Sequence, residues 1–224
     1  LEAHIAVLDR NDTKGRIGLY IDEWGSWYNV EQGSNLKILS QQNSIREALV
    51  AAINFNIFHR YEDRIRMSNI AQMVNVLQAM VLTDGEEMLL TPTYHVYEMH
   101  TPFHDAVSVP VDSIEVPRLT AGDTIIPAVS ASAAIGKGGD LEVSLVNLSP
   151  DTDVSLAARV NGIAIHDVSG RVLTGEEIDA HNTFSTPDAV RPKPLSVRIE
   201  GDLLRLTLPA RSVVVLSVEP AGVQ

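Results

Sequence analysis

Two hundred and twenty-four residues make one large domain or two of ordinary size, and are too few for a complete eight-fold β/α barrel carrying a second domain. With 45% hydrophobic residues, 21% charged and a mean hydropathy of +0.05, the chain can bury a substantial core, yet no stretch reaches the roughly 18 uninterrupted apolar residues of a membrane-spanning helix. Seventeen basic side chains against 29 acidic ones give a net charge of −12, which repels phosphate backbones and anionic lipid and argues against nucleic-acid and membrane partners. Zero cysteines exclude disulfides, thiolate nucleophiles and Cys-ligated zinc, and fit a reducing compartment. The start, Leu1-Glu2-Ala3-His4-Ile5, has neither an initiator Met nor the basic-then-apolar order of a signal peptide, and reads as a cut end.

In chain order, Ile17 to Asp22 is a compact apolar strand candidate, followed by a Gly/Asn/Gln-rich loop from Gly25 to about Asn43. Ser44-Ile45-Arg46-Glu47 has the form of a capping box, and Ile45, Leu49 and Ile53 with Ala48, Ala52 and Phe55 predict a helix with one buried face up to about Arg60. Arg64 to Ser68 is a second, shorter strand candidate. It leads into an amphipathic run from Ile70 to Leu82, a turn at Thr83-Asp84-Gly85, and a last helix over Thr93 to His100 behind Pro92. Strand, long loop, helix, strand, helix is the order of β/α units around a parallel sheet.

Near residue 105 the pattern becomes all-β. Leu141, Val143 and Leu145 alternate with Glu142, Ser144 and Val146, and Leu204, Leu206 and Leu208 alternate with Leu203, Arg205 and Thr207. Gly138-Gly139-Asp140, Ser149-Pro150-Asp151, Asn161-Gly162 and Gly201-Asp202 fall between short apolar runs, the spacing of an antiparallel sandwich or jelly roll. The division is therefore expected at residues 1–105 and 106–224, with the negative charge shared evenly between them and no internal repeat.

The densest chemistry lies in residues 22–28. Asp22 and Glu23 end the first strand, and Trp24, Trp27 and Tyr28 follow, so two carboxylates and three aromatic rings stand where a strand opens into a long loop. Such a place suits a sugar cleft, with carboxylates at the mouth of a strand and rings stacked on the apolar faces of a sugar. An acidic residue at a strand end also serves as a cap or salt-bridge partner, and spacing alone leaves both readings open. His95, His100 and His104 lack an HExxH pattern and are read as structural or solvent-facing. The Gly136-Lys137-Gly138-Gly139 stretch precedes a strand, whereas a phosphate cradle opens a helix, so it reads as a hairpin turn.

Asp22-Glu23-Trp24, the run Asn69 to Met80, the segment Leu90 to Met99 and His181-Asn182-Thr183-Phe184 ahead of Pro187 together resemble the C-terminal part of the α-L-arabinofuranosidases of glycoside hydrolase family 51, across nearly the whole chain. The resemblance implies the last two β/α units of a (β/α)8 barrel followed by a jelly-roll-like antiparallel β-sandwich. It also implies a retaining glycosidase in which the Glu of Asp-Glu-Trp, here Glu23, is the nucleophile. A covalent displacement needs an ionised carboxylate that attacks the anomeric carbon and later leaves it. The family's acid/base glutamate comes from an Asn-Glu pair, and this sequence contains no such dipeptide. The chain is thus expected to need the remaining barrel, in the same polypeptide or as a separate chain, with its two carboxyl groups about 5–5.5 Å apart.

The same resemblance places Gln72 and Trp27 at the substrate. An amide both donates to and accepts from sugar hydroxyls, while spacing alone reads Gln72 as a polar helix cap and Trp27 as loop packing. Asp22 is expected to orient its neighbours, Trp24 to pack beneath the nucleophile, and His181-Asn182-Thr183-Phe184 to serve loop and inter-domain packing. No metal or organic cofactor is required. The implied partners are arabinose-containing oligo- or polysaccharide and further copies in a homo-oligomer, often a hexamer, in the cytoplasm. Two other readings stand beside this one: a non-catalytic carbohydrate-binding or subunit-contact module, and a same-fold enzyme acting on β-glucan or xylan.

Overall fold

The computed structural model describes residues 1–28, 43–112 and 115–222. Residues 29–42, most of the loop expected between Gly25 and Asn43, lie outside the described residues. The first part runs through α1 (Glu2–Asn11), β1 (Leu19–Trp24), α2 (Ile45–His59), β2 (Ile65–Ile70), the pair β3 (Val81–Asp84) and β4 (Glu87–Leu90), α3 (Pro92–Met99) and a 3-10 turn at Thr101–Phe103. The remainder is all strand: β5 (Val107–Val109), β6 (Arg118–Ala121), β7 (Thr124–Pro127), β8 (Val129–Ile135), β9 (Leu141–Asn147), β10 (Val154–Arg159), β11 (Ile165–Leu173), β12 (Lys193–Pro194), β13 (Arg198–Glu200), β14 (Leu203–Leu208) and β15 (Ser212–Pro220).

Strands β1 and β2 pair in parallel, so the connection between them must cross over, and α2 supplies the crossover. The helix begins where the capping box predicts. Both the backbone N and the Oγ of Ser44 donate to the Glu47 carboxylate, at 2.7 and 2.6 Å. One expectation needs correcting: α2 is buried on more than one side, at Ile45, Glu47, Ala48, Leu49, Ala51, Ala52 and Asn56. Its apolar neighbours explain this. Trp24 and Ile70 of the parallel pair reach it together with Val146, Val213 and Val215 of the sheet beyond, and its alanines permit close approach from both directions.

The expected helix over Ile70 to Leu82 is absent. The segment is a run of turns that ends in β3, with Asn75 and Gln78 in the left-handed region at φ 56° and 46°. Local polar bonds win over helical spacing here. Asn75 Nδ2 donates to Thr83 Oγ1 at 2.9 Å while its Oδ1 accepts from Thr83 N at 2.8 Å, and Met80 and Val81 both donate to Met73 O at 3.0 Å. The turn at Thr83-Asp84-Gly85 is present as the β3–β4 connection. Helix α1, which the sequence reading leaves out, is tied to β2 by Arg64, which donates to Asp9 at 2.7 Å and Asp12 at 3.0 Å.

The strands after Phe103 form two large antiparallel sheets, one of six strands in the order β12-β11-β15-β9-β8-β5 and one of three, β10-β14-β13. Leu145, Val214, Leu216 and Val218 from the first face Val154, Leu204, Leu206 and Leu208 from the second in a single core. Strand β14 alternates as expected, with Leu204, Leu206 and Leu208 buried between exposed Arg205 and Thr207. On β9 and β15 the alternation disappears, because the second face of the six-stranded sheet carries α2 and α3: Val146, Val213 and Val215 join Val96 and Met99 in a separate core. The Gly136 to Gly139 stretch is the β8–β9 turn, with Gly136 N donating to Asp140 O at 2.9 Å.

Candidate active site

The parallel pairing of β1 and β2 is irregular at its C-terminal end. Ile21 is level with Ser68 and Trp24 with Ile70, so β1 takes three steps where β2 takes two. Such a bulge breaks the alternation of faces and re-aims side chains. Here it leaves Asp22 and Glu23, two consecutive residues, both exposed, while Ile21 and Trp24 on either side are half-buried. Trp24 packs edge-on against Phe55 and Phe58 of α2, with ring centroids 5.9 and 5.4 Å away. Its ring is therefore held on the α2 side of the strand pair.

The end of β2 continues beside the end of β1. Ala71 N donates to Trp24 O at 2.8 Å, and the next residue, Gln72, is exposed, with its backbone N donating to Leu77 O at 2.8 Å. The Ala71–Gln72 peptide is cis. Gln72 sits among the turns that follow β2, with no helix beginning there, which corrects the alternative of a helix cap. Glu23 and Gln72, both candidate site residues in the sequence, thus emerge at the same end of adjacent strands.

Trp27 is 69% exposed, between two neighbours that are held. Ser26 donates from its backbone N at 2.6 Å and from its Oγ at 2.9 Å to the side-chain oxygen of Gln78. Tyr28 lies under the Arg46 guanidinium, 3.8 Å from the ring centroid. Burial alone would lower the Arg46 pKa, but the adjoining Glu47 carboxylate at 2.7 Å holds it above its ordinary value.

Sequence reasoning missed Gln78 and Arg46. The signal for Gln78 was a lone polar residue inside the apolar run Val76-Leu77-Gln78-Ala79-Met80, where an amide needs buried partners. The histidines of the α3 region have other places. His100 is buried, its ring bonded to Val96 O at 2.7 Å and Ser144 Oγ at 2.9 Å, and no group of three metal-ligating side chains stands together among the described residues. Asn182 donates to Leu90 O at 2.8 Å and to Val190 O at 2.9 Å, and His181 bridges Ser44, which docks this late loop on the start of α2.

Residues 22–212 match the family described as the α-L-arabinofuranosidase C-terminal domain. The chain is 36% identical over 98% of its length to an intracellular exo-α-L-arabinofuranosidase of Bacteroides ovatus, of which it covers 43%. It is 24% identical over 82% of its length to an intracellular exo-α-(1→5)-L-arabinofuranosidase of Bacillus subtilis, covering 39% of that protein. Among solved structures, the arabinofuranosidase of glycoside hydrolase family 51 from Xanthomonas axonopodis pv. citri superposes with a TM-score of 0.93 at 43% identity, over 96% of this chain and 44% of that one. The arabinose complex of the Thermotoga maritima α-L-arabinofuranosidase shares the fold, at TM-score 0.77 and 21% identity. The chain spans less than half the length of each of these proteins.

Proposed function

The chain belongs to the α-L-arabinofuranosidases of glycoside hydrolase family 51, as their C-terminal portion, and from that premise we propose that it supplies the nucleophile of a retaining hydrolase. The reaction is removal of terminal non-reducing α-L-arabinofuranosyl residues from arabinan, arabinoxylan or arabino-oligosaccharides. One observation carries the reading: Glu23 is exposed at a bulge on the end of β1, beside the point where Gln72 leaves β2.

In this mechanism a Glu23 carboxylate oxygen bonds to the anomeric carbon as the bond from that carbon to the leaving oxygen breaks. A glutamate outside this sequence protonates the departing oxygen. It then takes a proton from a water, whose oxygen attacks the anomeric carbon and releases Glu23 as carboxylate. Gln72 hydrogen-bonds the arabinofuranosyl hydroxyls through its amide, and the Trp27 ring covers the sugar. Residues 1–105 act as the end of the catalytic barrel and residues 106–224 as the sandwich domain, the remaining barrel coming from the rest of the protein. That the chain covers less than half of each relative supports a further portion elsewhere in the protein. A cytoplasmic location follows from the names of the Bacteroides ovatus and Bacillus subtilis relatives.

The test is Glu23→Ala in the complete protein, assayed on an aryl α-L-arabinofuranoside and on arabinan. Hydrolysis is expected to fall by orders of magnitude with an unchanged melting temperature. A 2-fluoro-arabinofuranosyl inhibitor is expected to label the peptide that contains Glu23. Unchanged turnover, or a label elsewhere, refutes the assignment.

A further inference from the structure

Gln78 is fully buried, and both ends of its amide are spent on backbone that belongs to the site or supports it. Its oxygen accepts from Ser26 N at 2.6 Å and from Ser26 Oγ at 2.9 Å, while its nitrogen donates to Glu47 O in the first turn of α2 at 3.0 Å. The space beside it in the chain that follows β1 is tight, and the backbone there favours glycine. Gly25 has φ 154°, and a Cβ there would lie 3.0 Å from the Gln78 oxygen and 3.5 Å from Ala71 O. Backbone bonds extend the same contact to the second strand. Ala71 N reaches Trp24 O, and Gln72 N closes a turn onto Leu77 O, the residue before Gln78.

We infer that Gln78 is a positioning residue, locking the Gly25–Ser26 turn behind Glu23 to the Ala71–Gln72 turn and to α2, so that nucleophile and sugar-binding amide keep one fixed separation. The role rests on the reading of Glu23 as nucleophile. Gln78 touches no substrate. It acts through the placement of Glu23, Trp27 and Gln72, and misplacement of reacting groups by about 1 Å can cost on the order of 10²-fold in rate.

Among the described residues, the charged groups of β1 and of the first turn of α2, on which the Gln78 amide is anchored, are Asp22 and Glu23, and Arg46 and Glu47, the last two paired with each other at 2.7 Å. Within this setting Gln78→Glu is a discriminating variant in the complete protein. Ionised, it sets an oxygen against Glu47 O, acceptor to acceptor; protonated, it restores the donor without changing shape. The expected result near neutral pH is a fall in kcat of up to about 10²-fold, with a smaller change in KM. Relative to the parent, kcat of Gln78→Glu should recover as the pH is lowered, whereas Gln78→Met, which cannot regain a donor, should not.

Ser26→Ala, which removes one of the two bonds on the Gln78 oxygen, gives a milder probe if the buried substitutions fail to fold. Its kcat is expected to fall between about twofold and tenfold, the worth of one hydrogen bond. Lowered melting temperatures with kcat, KM and pH profile unaltered in every variant would overturn the positioning role. Glu23→Ala run beside them separates the two ideas. If that variant keeps its activity, the nucleophile assignment fails. If it loses activity while the Gln78 and Ser26 variants stay at parental kcat, only the positioning role fails.

Discussion

The six-stranded sheet of the sandwich is covered on both faces, by the three-stranded sheet on one and by α2 and α3 on the other, and its central strands β9 and β15 are buried on both sides. The parallel pair β1–β2 carries α2 on one side, through Trp24 and Ile70, and leaves Tyr20 55% and Met67 45% exposed. Parallel strands are ordinarily buried on both faces and paired at both edges. The half that holds the candidate site thus leaves apolar side chains of its sheet open to solvent in this chain, while the sandwich sheet is closed on both faces, one of them by helices of the first half. The separation of tasks is physical. A closed core fixes position, and an open strand end exposes carboxylates to a ligand.

The sharpest way to break this comparison is to hollow out the sandwich. Leu216→Ala, at a residue 1% exposed, is expected to cost about 2–5 kcal/mol, read as a shifted denaturant midpoint. A change well under 1 kcal/mol would show that the core is not what holds this half. A second measurement probes the join between the halves, where His59 Nδ1 lies 2.8 Å from Ser132 Oγ and His100 Nε2 lies 2.9 Å from Ser144 Oγ. Burial lowers His59 to about 4 and His100 to about 3, so between the ordinary histidine value of 6.5 and these values the unfolded chain binds more protons than the folded one. Stability is therefore expected to be full above pH 6.5 and to decline as the pH falls below it. Denaturant midpoints measured from pH 8 to 4 should follow that curve, and a flat profile would refute it. The smallest expected effect is at Met67. Met67→Ser should shift the stability of this chain by no more than about 0.5 kcal/mol, but should cost a core-sized amount in the complete protein, where the rest of the barrel is proposed to cover it.

What could be read from the sequence was local. Ser44 and Glu47 form their capping box because three residues suffice to make it, and Leu204, Leu206 and Leu208 alternate because a sheet with one wet face imposes that period. The turns at Gly136 to Gly139 and at Asp84-Gly85 fall in the same class. Of the candidate site, Glu23, Gln72 and Trp27 were all visible as residues, yet the feature that exposes Glu23 was not. A bulge is a mismatch in the count of two strands that lie more than forty residues apart, and no window of the sequence contains it. The run from Ile70 to Leu82 misled for a related reason. Its apolar spacing suits a helix, but Asn75 bonds Thr83 and Gln78 bonds Ser26 and Glu47, and those partners exist only after the chain has folded.

By itself, then, the sequence determined element types wherever capping, alternation or turn chemistry is satisfied within a few residues, and it marked out the carboxylates and rings available for chemistry. Tertiary structure decided the offset of β1 against β2, the two-sided burial of α2, β9 and β15, and the use of Gln78 as a tie between segments. Each of these depends on pairing or packing between distant stretches, whose free energy is set by the neighbours each stretch meets and not by its own composition.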